Sequence, residues 1–198
     1  WPNTSVISGV SPWNSYLPDF VRDEIWSTKL WDGIFYDEFS NNISWANGGN
    51  LDLHRDGVRD DAALADTAWR RGMVNLLTRT RANLGPDAVI VTNGDSTAQL
   101  QPSINGRMFE LFPTPWEAGG TWSGVMANYL RLHKQVGSTP VFIINSTTDT
   151  AAVENVARLK SGLLQGTLQG GQASTDYQKM RFGLASTLMG DGFFGFDF

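Results

Sequence analysis

Carboxylate and amide side chains recur at the ends of apolar, strand-like segments of this 198-residue chain. Charged side chains are rarely buried, so their repetition at the ends of such segments requires a reason. The simplest reason is that successive parallel strands end at one edge of a sheet, where carboxyl groups can work as an acid and a base. The side chains concerned are Asp37 and Glu38 in segment 32–38, Asn93 and Asp95 in 88–95, Glu110 in 106–110, Asn145 in 140–145 and Asp197 in 191–197.

Two of these carboxyl groups could hydrolyse a glycosidic bond. That reaction needs one carboxyl that protonates the leaving oxygen and a second that acts as nucleophile or activates water. Asp37 and Glu110 are the leading pair, because Glu110 lies among the apolar residues of 108–112, the surroundings expected of a proton donor. Asp197 is a third catalytic candidate. Glu38 follows Asp37 directly and would point to the opposite side of an extended strand, which predicts a supporting or substrate-binding role.

Several further side chains are candidates for binding a sugar. Three of the eight tryptophans lie beside glycine, asparagine or proline in predicted loops, and their flat rings could stack on sugar rings. The simpler interpretation is that they fill cores and anchor loops. Amide and carboxylate groups at strand ends could bind sugar hydroxyls. The predicted substrate-binding residues are Glu38, Asn93, Asp95, Asn145, Trp45, Trp116 and Trp122.

The loop from Asp52 to Asp60 partly matches a calcium-binding loop. Oxygen ligands would come from Asp52, Asp56 and Asp60 at positions 1, 5 and 9, with Gly57 at position 6 for the turn. Position 3 is His54, a poor ligand for calcium. A structural calcium ion is therefore one prediction, and a turn whose last acids cap the next helix is the alternative. No other cofactor is required.

Helical and strand-like patterns alternate along the chain. In segment 60–81 the apolar residues Leu64, Trp69, Met73 and Leu76 recur at helical spacing, and Asp60 or Asp61 can cap the first turn. Segment 88–93 is a continuous apolar run, typical of a buried parallel strand. The alternation predicts an α/β fold with a parallel sheet in one domain, 1–198. Helices are expected at 16–28, 60–81, 122–136, 150–165 and 174–189, and strands at 33–38, 88–93, 107–111, 140–145 and 192–197.

Two parallel architectures fit five such units. An open nucleotide-binding sheet would carry a glycine-rich phosphate loop, and neither GxGxxG nor GxxxxGK[ST] occurs. Polar strand ends favour a (β/α)8 barrel, in which the functional residues stand at the carboxyl ends of the strands. A complete barrel takes about 250 residues. We therefore expect a partial TIM barrel, about strands four to eight, whose exposed sheet edges would favour self-association.

Several motifs together resemble those of hypothetical glycoside-hydrolase-like TIM-barrel families. In these families a strand with the pattern DG-x-F-x-D is followed by a long loop and a helix with the pattern G-x-x-x-L-L-x-x-x-R. The resemblance covers roughly residues 10–198 and implies a hydrolase that acts on a polysaccharide, without fixing the sugar. The motifs that carry it are Trp31–Glu38, Asp52–Asp61, Trp69–Arg81, Val91–Gly94, Gly106–Glu110 and Asp191–Phe194.

Composition narrows the remaining possibilities. A net charge of −5 disfavours a nucleic-acid partner, and no apolar run approaches the roughly 20 residues of a membrane helix. We therefore expect a soluble protein with a carbohydrate partner. The absence of cysteine leaves the compartment open and is compatible with secretion. The alternatives are a non-catalytic carbohydrate-binding barrel, an inactive fragment of a hydrolase, or a barrel enzyme of another class, such as a lyase or a phosphate-handling enzyme.

Overall fold

A computed structural model of the chain describes residues 13–53, 56–94, 101–134, 139–147 and 172–197. Among the described residues, helices and strands alternate as the sequence predicts, except between the second and third strands, where a short 3-10 helix, Gln101–Ser103, is found. The predicted helix at 150–165 lies outside them. The main elements are α1 (Trp13–Phe20), β1 (Gly33–Phe39), α2 (Ala62–Leu84), β2 (Val89–Gly94), β3 (Gly106–Phe109), α3 (Trp122–His133), β4 (Ile143–Thr147), α4 (Gln172–Leu188) and β5 (Phe193–Asp197).

The strands form a five-stranded parallel sheet in the order β1-β2-β3-β4-β5, which confirms the α/β class. The partial barrel stays a prediction. The chain divides into two compact units. Unit 1 is Trp1–Arg107 with Val136–Thr139, and unit 2 is Met108–Gln135 with Pro140–Phe198. In the part of the chain that the structure describes, no helix combines the length and the apolar character that crossing a membrane requires.

In unit 1, α2 begins at a side-chain cap, as the sequence predicts. Asp61 accepts hydrogen bonds from the backbone N–H groups of Ala63 and Leu64 at 2.9 and 3.0 Å, which satisfies two groups that lack partners within the helix. The core of unit 1 joins α2 to the strands and to Val21 after α1. Its buried residues are Val21, Tyr36, Phe39, Met73, Leu76, Leu77, Leu84, Ala88, Ile90 and Ile104.

The pairing of β1 with β2 breaks near the carboxyl ends of both strands. Cα partners run in register from Gly33 and Val89 to Tyr36 and Thr92, and then the register shifts so that Phe39 faces Gly94. A Cβ atom on Gly94 would lie 2.3 Å from the carbonyl oxygen of Phe39, and the φ of Gly94 is 137°. Only glycine fits this contact, so the bulge at the end of β1 depends on Gly94.

In unit 2, aromatic side chains pack α3 against the strands. The ring of Tyr129 meets that of Phe109 edge-on, with centroids 5.6 Å apart, and lies 6.2 Å from that of Phe142. The hydroxyl of Tyr129 donates to the carbonyl oxygen of Thr187 at 2.8 Å. Burial raises the pKa of Tyr129 to about 12. One face of β3–β4–β5 is therefore covered by helices, and side chains that alternate with these core residues face the other way.

Candidate functional site

Asp37 is exposed near the carboxyl end of β1, beside a residue that packs on α2. Tyr36, next to it, is buried, and its hydroxyl lies 2.9 Å from that of Thr80 in α2. Phe35 and Asp37 are both exposed, which agrees with the predicted alternation of side chains along β1. The strand continues to Phe39, and Asp37 is therefore near the end of β1 rather than its last residue.

The carboxylate of Asp37 is held by two hydrogen bonds. Its Oδ1 atom accepts from Nδ2 of Asn93 at 2.9 Å and from the backbone N–H of Glu38 at 2.8 Å. The structure thus brings together two residues that the sequence places at the ends of neighbouring strands. The amide of Asn93 donates to a carboxylate of the protein, which gives it a positioning role in addition to the predicted contact with sugar. Hydrogen bonds to an ionised acceptor are strong and fix its orientation.

The conformation of Glu38 corrects the sequence prediction for this residue. The prediction assumed an extended strand, in which Glu38 points away from the side of Asp37. Its φ is 55°, in the left-handed region, and the register shift falls between Tyr36 and Phe39. Side chains that follow such a bulge are re-aimed, and strained backbone of this kind often marks a functional site.

A cavity of about 310 Å³ lies beside these two acids in unit 1. Aromatic and aliphatic side chains form most of its wall. Trp13 is not among the residues predicted to bind sugar, and Trp69 belongs to the predicted apolar face of a helix. The cavity could not be predicted because it forms only when α1, β1 and α2 are packed together. The lining residues are Trp13, Leu17, Tyr36, Asp37, Glu38, Phe39, Trp69, Met73 and Leu76.

In unit 2, Glu110 is half-buried and comes directly after the last residue of β3. The predicted apolar surroundings rested on its neighbours in the chain. Two of these neighbours direct their rings elsewhere: the ring of Phe109 packs on Tyr129, and that of Phe112 lies 5.9 Å from the ring of Phe182 in α4. The role of Glu110 as a proton donor stays a prediction.

Asp197 and Asn145 form a second carboxylate–amide pair, within unit 2. Nδ2 of Asn145 donates to Oδ2 of Asp197 at 2.9 Å. The predicted position of Asn145 at the end of its strand is wrong, because β4 continues to Thr147, which pairs with Asp197. The amide can reach the carboxylate because its own Cα partner is Gly195, which has no side chain.

The three tryptophans predicted to bind sugar differ in their surroundings. Trp45, in unit 1, is 52% exposed and donates its indole N–H to the carbonyl oxygen of Asn42 at 3.0 Å. Trp116, in unit 2, is also 52% exposed. Trp122 donates to Oγ of Ser186 at 3.0 Å and lies 6.1 Å from the ring of Phe182, so it packs α3 against α4. A stacking role stays a prediction for all three.

The acids of the predicted calcium loop hold the backbone of the loop. Asp52 accepts from the N–H groups of Asp56 and Gly57 at 3.1 and 2.9 Å, and Asp60 accepts from that of Leu53. Among the described residues, which exclude 54 and 55, no group of three acidic or histidine side chains is arranged to hold a metal ion. Calcium binding stays a prediction. Asp95 also lies outside the described residues.

A protein-family model matches the chain. The model of a family described as hypothetical glycosyl hydrolase family 15 matches residues 5–195, nearly the whole chain. No curated protein matches the chain. The matched range includes all of the strand-end acids and amides except Asp197.

Proposed function

The chain belongs to hypothetical glycosyl hydrolase family 15, and we propose that it hydrolyses glycosidic bonds of a polysaccharide through paired carboxyl groups. We also propose that the five parallel strands are about strands four to eight of a (β/α)8 barrel, with the acids at their carboxyl ends. No metal ion or organic cofactor has a part in this reaction.

Asp37 is our candidate for the ionised carboxylate, and Glu110 for the proton donor. The proton of Glu110 passes to the glycosidic oxygen as the bond between that oxygen and the anomeric carbon breaks. Asp37 either attacks the anomeric carbon, to be displaced later by water, or removes a proton from the attacking water. In both cases the hydroxyl from water ends on the anomeric carbon.

The arrangement around Asp37 is the observation that carries the proposal. A nucleophile or base must be held in one orientation, and the bonds from Asn93 and from the backbone of Glu38 do this for Asp37. Both bonds end on Oδ1, so Oδ2 takes neither of them. A carboxylate that only capped a helix would instead accept bonds from the first N–H groups of that helix, as Asp61 does.

The test is the release of new reducing ends from a panel of polysaccharides. Asp37→Asn and Glu110→Gln keep the size and shape of each side chain, and each is expected to lower kcat by about 100-fold or more. Asp87→Asn, at an exposed position between α2 and β2, is the matched control and should retain full activity. Full activity of both variants on a substrate that the wild type hydrolyses would overturn the assignment.

Asp197→Asn tests the third acid in the same assay. A fall in kcat would give Asp197 a catalytic role, whereas a rise in KM alone would limit it to binding. The exposed rings of Trp45 and Trp116 favour one other function, a carbohydrate-binding protein without catalysis. That alternative predicts retention on immobilised polysaccharide with no new reducing ends, and unchanged retention of Asp37→Asn.

A further inference from the structure

The cavity of unit 1 lies between α1, β1 and α2, and hydrogen bonds fix its walls. Asp19 of α1 accepts from Arg79 at 2.6 Å and from Asn83 at 3.0 Å, both in α2. The bond from Arg79 is the main reason that the pKa of Asp19 is lowered. On the strand side, the hydroxyl groups of Tyr36 and Thr80 join β1 to α2. Walls joined in this way give a pre-formed cavity, which is usual for sites that bind small molecules.

Two tryptophans supply flat apolar surface to this cavity. Trp13, at the start of α1, is 49% exposed, and its ring lies 5.9 Å from that of Tyr16. Trp69 donates its indole N–H to the carbonyl oxygen of Ser40 at 2.7 Å, so its polar atom already has a partner. Apart from their indole N–H groups, both rings are apolar, and an apolar ring face suits the C–H face of a sugar ring.

Charge limits what the cavity can bind. Two of its nine lining residues are acidic, Asp37 and Glu38, and none is basic. Ionised carboxylates only accept hydrogen bonds, so they fit ligands that donate through hydroxyl groups. A ligand with its own carboxylate would meet these like charges, and none of the lining residues is basic to offset them. A neutral polyhydroxylated ring therefore fits better than an acidic one.

Size limits the ligand further. A volume of about 310 Å³ is at the small end of the range for ligand sites, so the cavity suits one ring better than several. We infer that it binds a single neutral pyranose residue, with Trp13 against the apolar face of the ring and Glu38 accepting from its hydroxyl groups. This inference rests on the proposed function only for its ligand class, a sugar.

Ligand-observed NMR and tryptophan fluorescence can test the site with glucose, galactose, mannose, xylose and glucuronate. At least one neutral sugar should bind, and glucuronate should bind about 10-fold more weakly than that sugar. Trp13→Ala should weaken binding of the neutral sugar by about 10-fold or more. The matched control is Trp31→Ala, which removes an exposed tryptophan of unit 1 that does not line the cavity, and it should bind as the wild type does.

Glu38→Gln is a second variant that does not depend on whether Trp13→Ala folds. It should reduce the discrimination against glucuronate, because one of the two negative charges is gone. Binding that is the same in Trp13→Ala as in the wild type, or glucuronate binding as tightly as the best neutral sugar, would overturn the inference. So would the failure of every sugar in the panel to bind.

The reducing-end assay separates this inference from the proposed function. Sugar binding that depends on Trp13 and Glu38, without hydrolysis of any polysaccharide, would retain the cavity site and reject the hydrolase. Hydrolysis that is lost in Asp37→Asn but unchanged in Trp13→Ala and Glu38→Gln would retain the hydrolase and reject the cavity site.

Discussion

Asp66, in α2, shows how a single carboxylate can hold a long loop. It accepts hydrogen bonds from the backbone N–H groups of Ile43 and Ser44, both at 2.8 Å, and from the hydroxyl of Ser44 at 3.0 Å. Partial burial alone would raise the pKa of Asp66. The three hydrogen bonds, with a smaller effect of the charge of Arg70, outweigh burial and lower it. The ionised form of Asp66 therefore stabilises the folded state.

Because the pKa of Asp66 is lowered, its contribution to the stability of the folded state depends on pH in a predictable direction. Because its pKa is lower in the folded state, the contribution is fully present above the unfolded value, about 3.9, and is lost as the pH falls below it. Asp66→Asn should reduce the free energy of unfolding by about 1–3 kcal/mol at neutral pH. The difference from the wild type should then shrink below about pH 4.

Urea denaturation at several pH values measures both effects. Asp87→Asn is the control, because Asp87 is exposed and has no comparable set of bonds among the described residues. A constant difference between Asp66→Asn and the wild type from neutral to acidic pH would show that the charge of Asp66 does not matter.

At the level of helices and strands, local patterns predict most elements and miss features that depend on contacts between them. The cap at Asp61 and the strand at β2 follow from the sequence. Leu64 fits the predicted apolar stripe of α2 but is exposed. The sequence predicts that β4 ends at Asn145, yet the strand continues, because Ser146 and Thr147 pair with β5.

In the candidate site, too, some features follow from local sequence patterns and others depend on contacts between elements. The sequence places Asp37 and Asn93 at the ends of neighbouring strands, and they are hydrogen-bonded. The left-handed backbone of Glu38 falls at the bulge where Phe39 faces Gly94, and no local sequence pattern contains this contact between strands. The cavity lined by Trp13 likewise depends on how α1 packs on α2, and it could not be read from either helix alone.

Close packing of α4 on the sheet of unit 2 leads to a prediction about Gly183. A Cβ atom on Gly183 would lie 2.3 Å from Oγ of Ser146 and 2.7 Å from the ring of Phe194. Alanine favours a helix by about 1 kcal/mol over glycine, but overpacking costs about 1–3 kcal/mol. Gly183→Ala should therefore lower the free energy of unfolding, as measured by urea denaturation.

A double-mutant cycle tests whether the contact with Ser146 causes the loss of stability in Gly183→Ala. Ser146→Ala removes the atom closest to the added methyl group, so the variant with both changes should lose less stability than the sum of the two single variants. Strict additivity, or an increase in stability of Gly183→Ala alone, would contradict the close contact. The cycle isolates the packing term because helix propensity is the same with and without the hydroxyl of Ser146.

At the level of the whole chain, the sheet ends in two strands that carry exposed aromatic side chains. Among the strands that the structure describes, β1 and β5 are the outer ones, and each has one neighbour in the sheet order. Phe35 on β1 is 45% exposed and Phe193 on β5 is 58% exposed. Outer strands with exposed apolar side chains are templates for pairing with another chain, and an inserted lysine is a common protection against it.

We therefore expect the chain to self-associate through these strands. In sedimentation velocity, the weight-average sedimentation coefficient of the wild type should rise between about 5 µM and about 200 µM. Phe193→Lys should reduce this rise, because it places a charge on an outer strand. Leu188→Lys is the matched control: Leu188 is 70% exposed but lies at the end of α4, so the same charge there should leave the association unchanged. A sedimentation coefficient that does not change with concentration would show that the chain does not associate. Equal effects of the two lysines would show that association depends on net charge and not on β5. Either result would exclude pairing through β5.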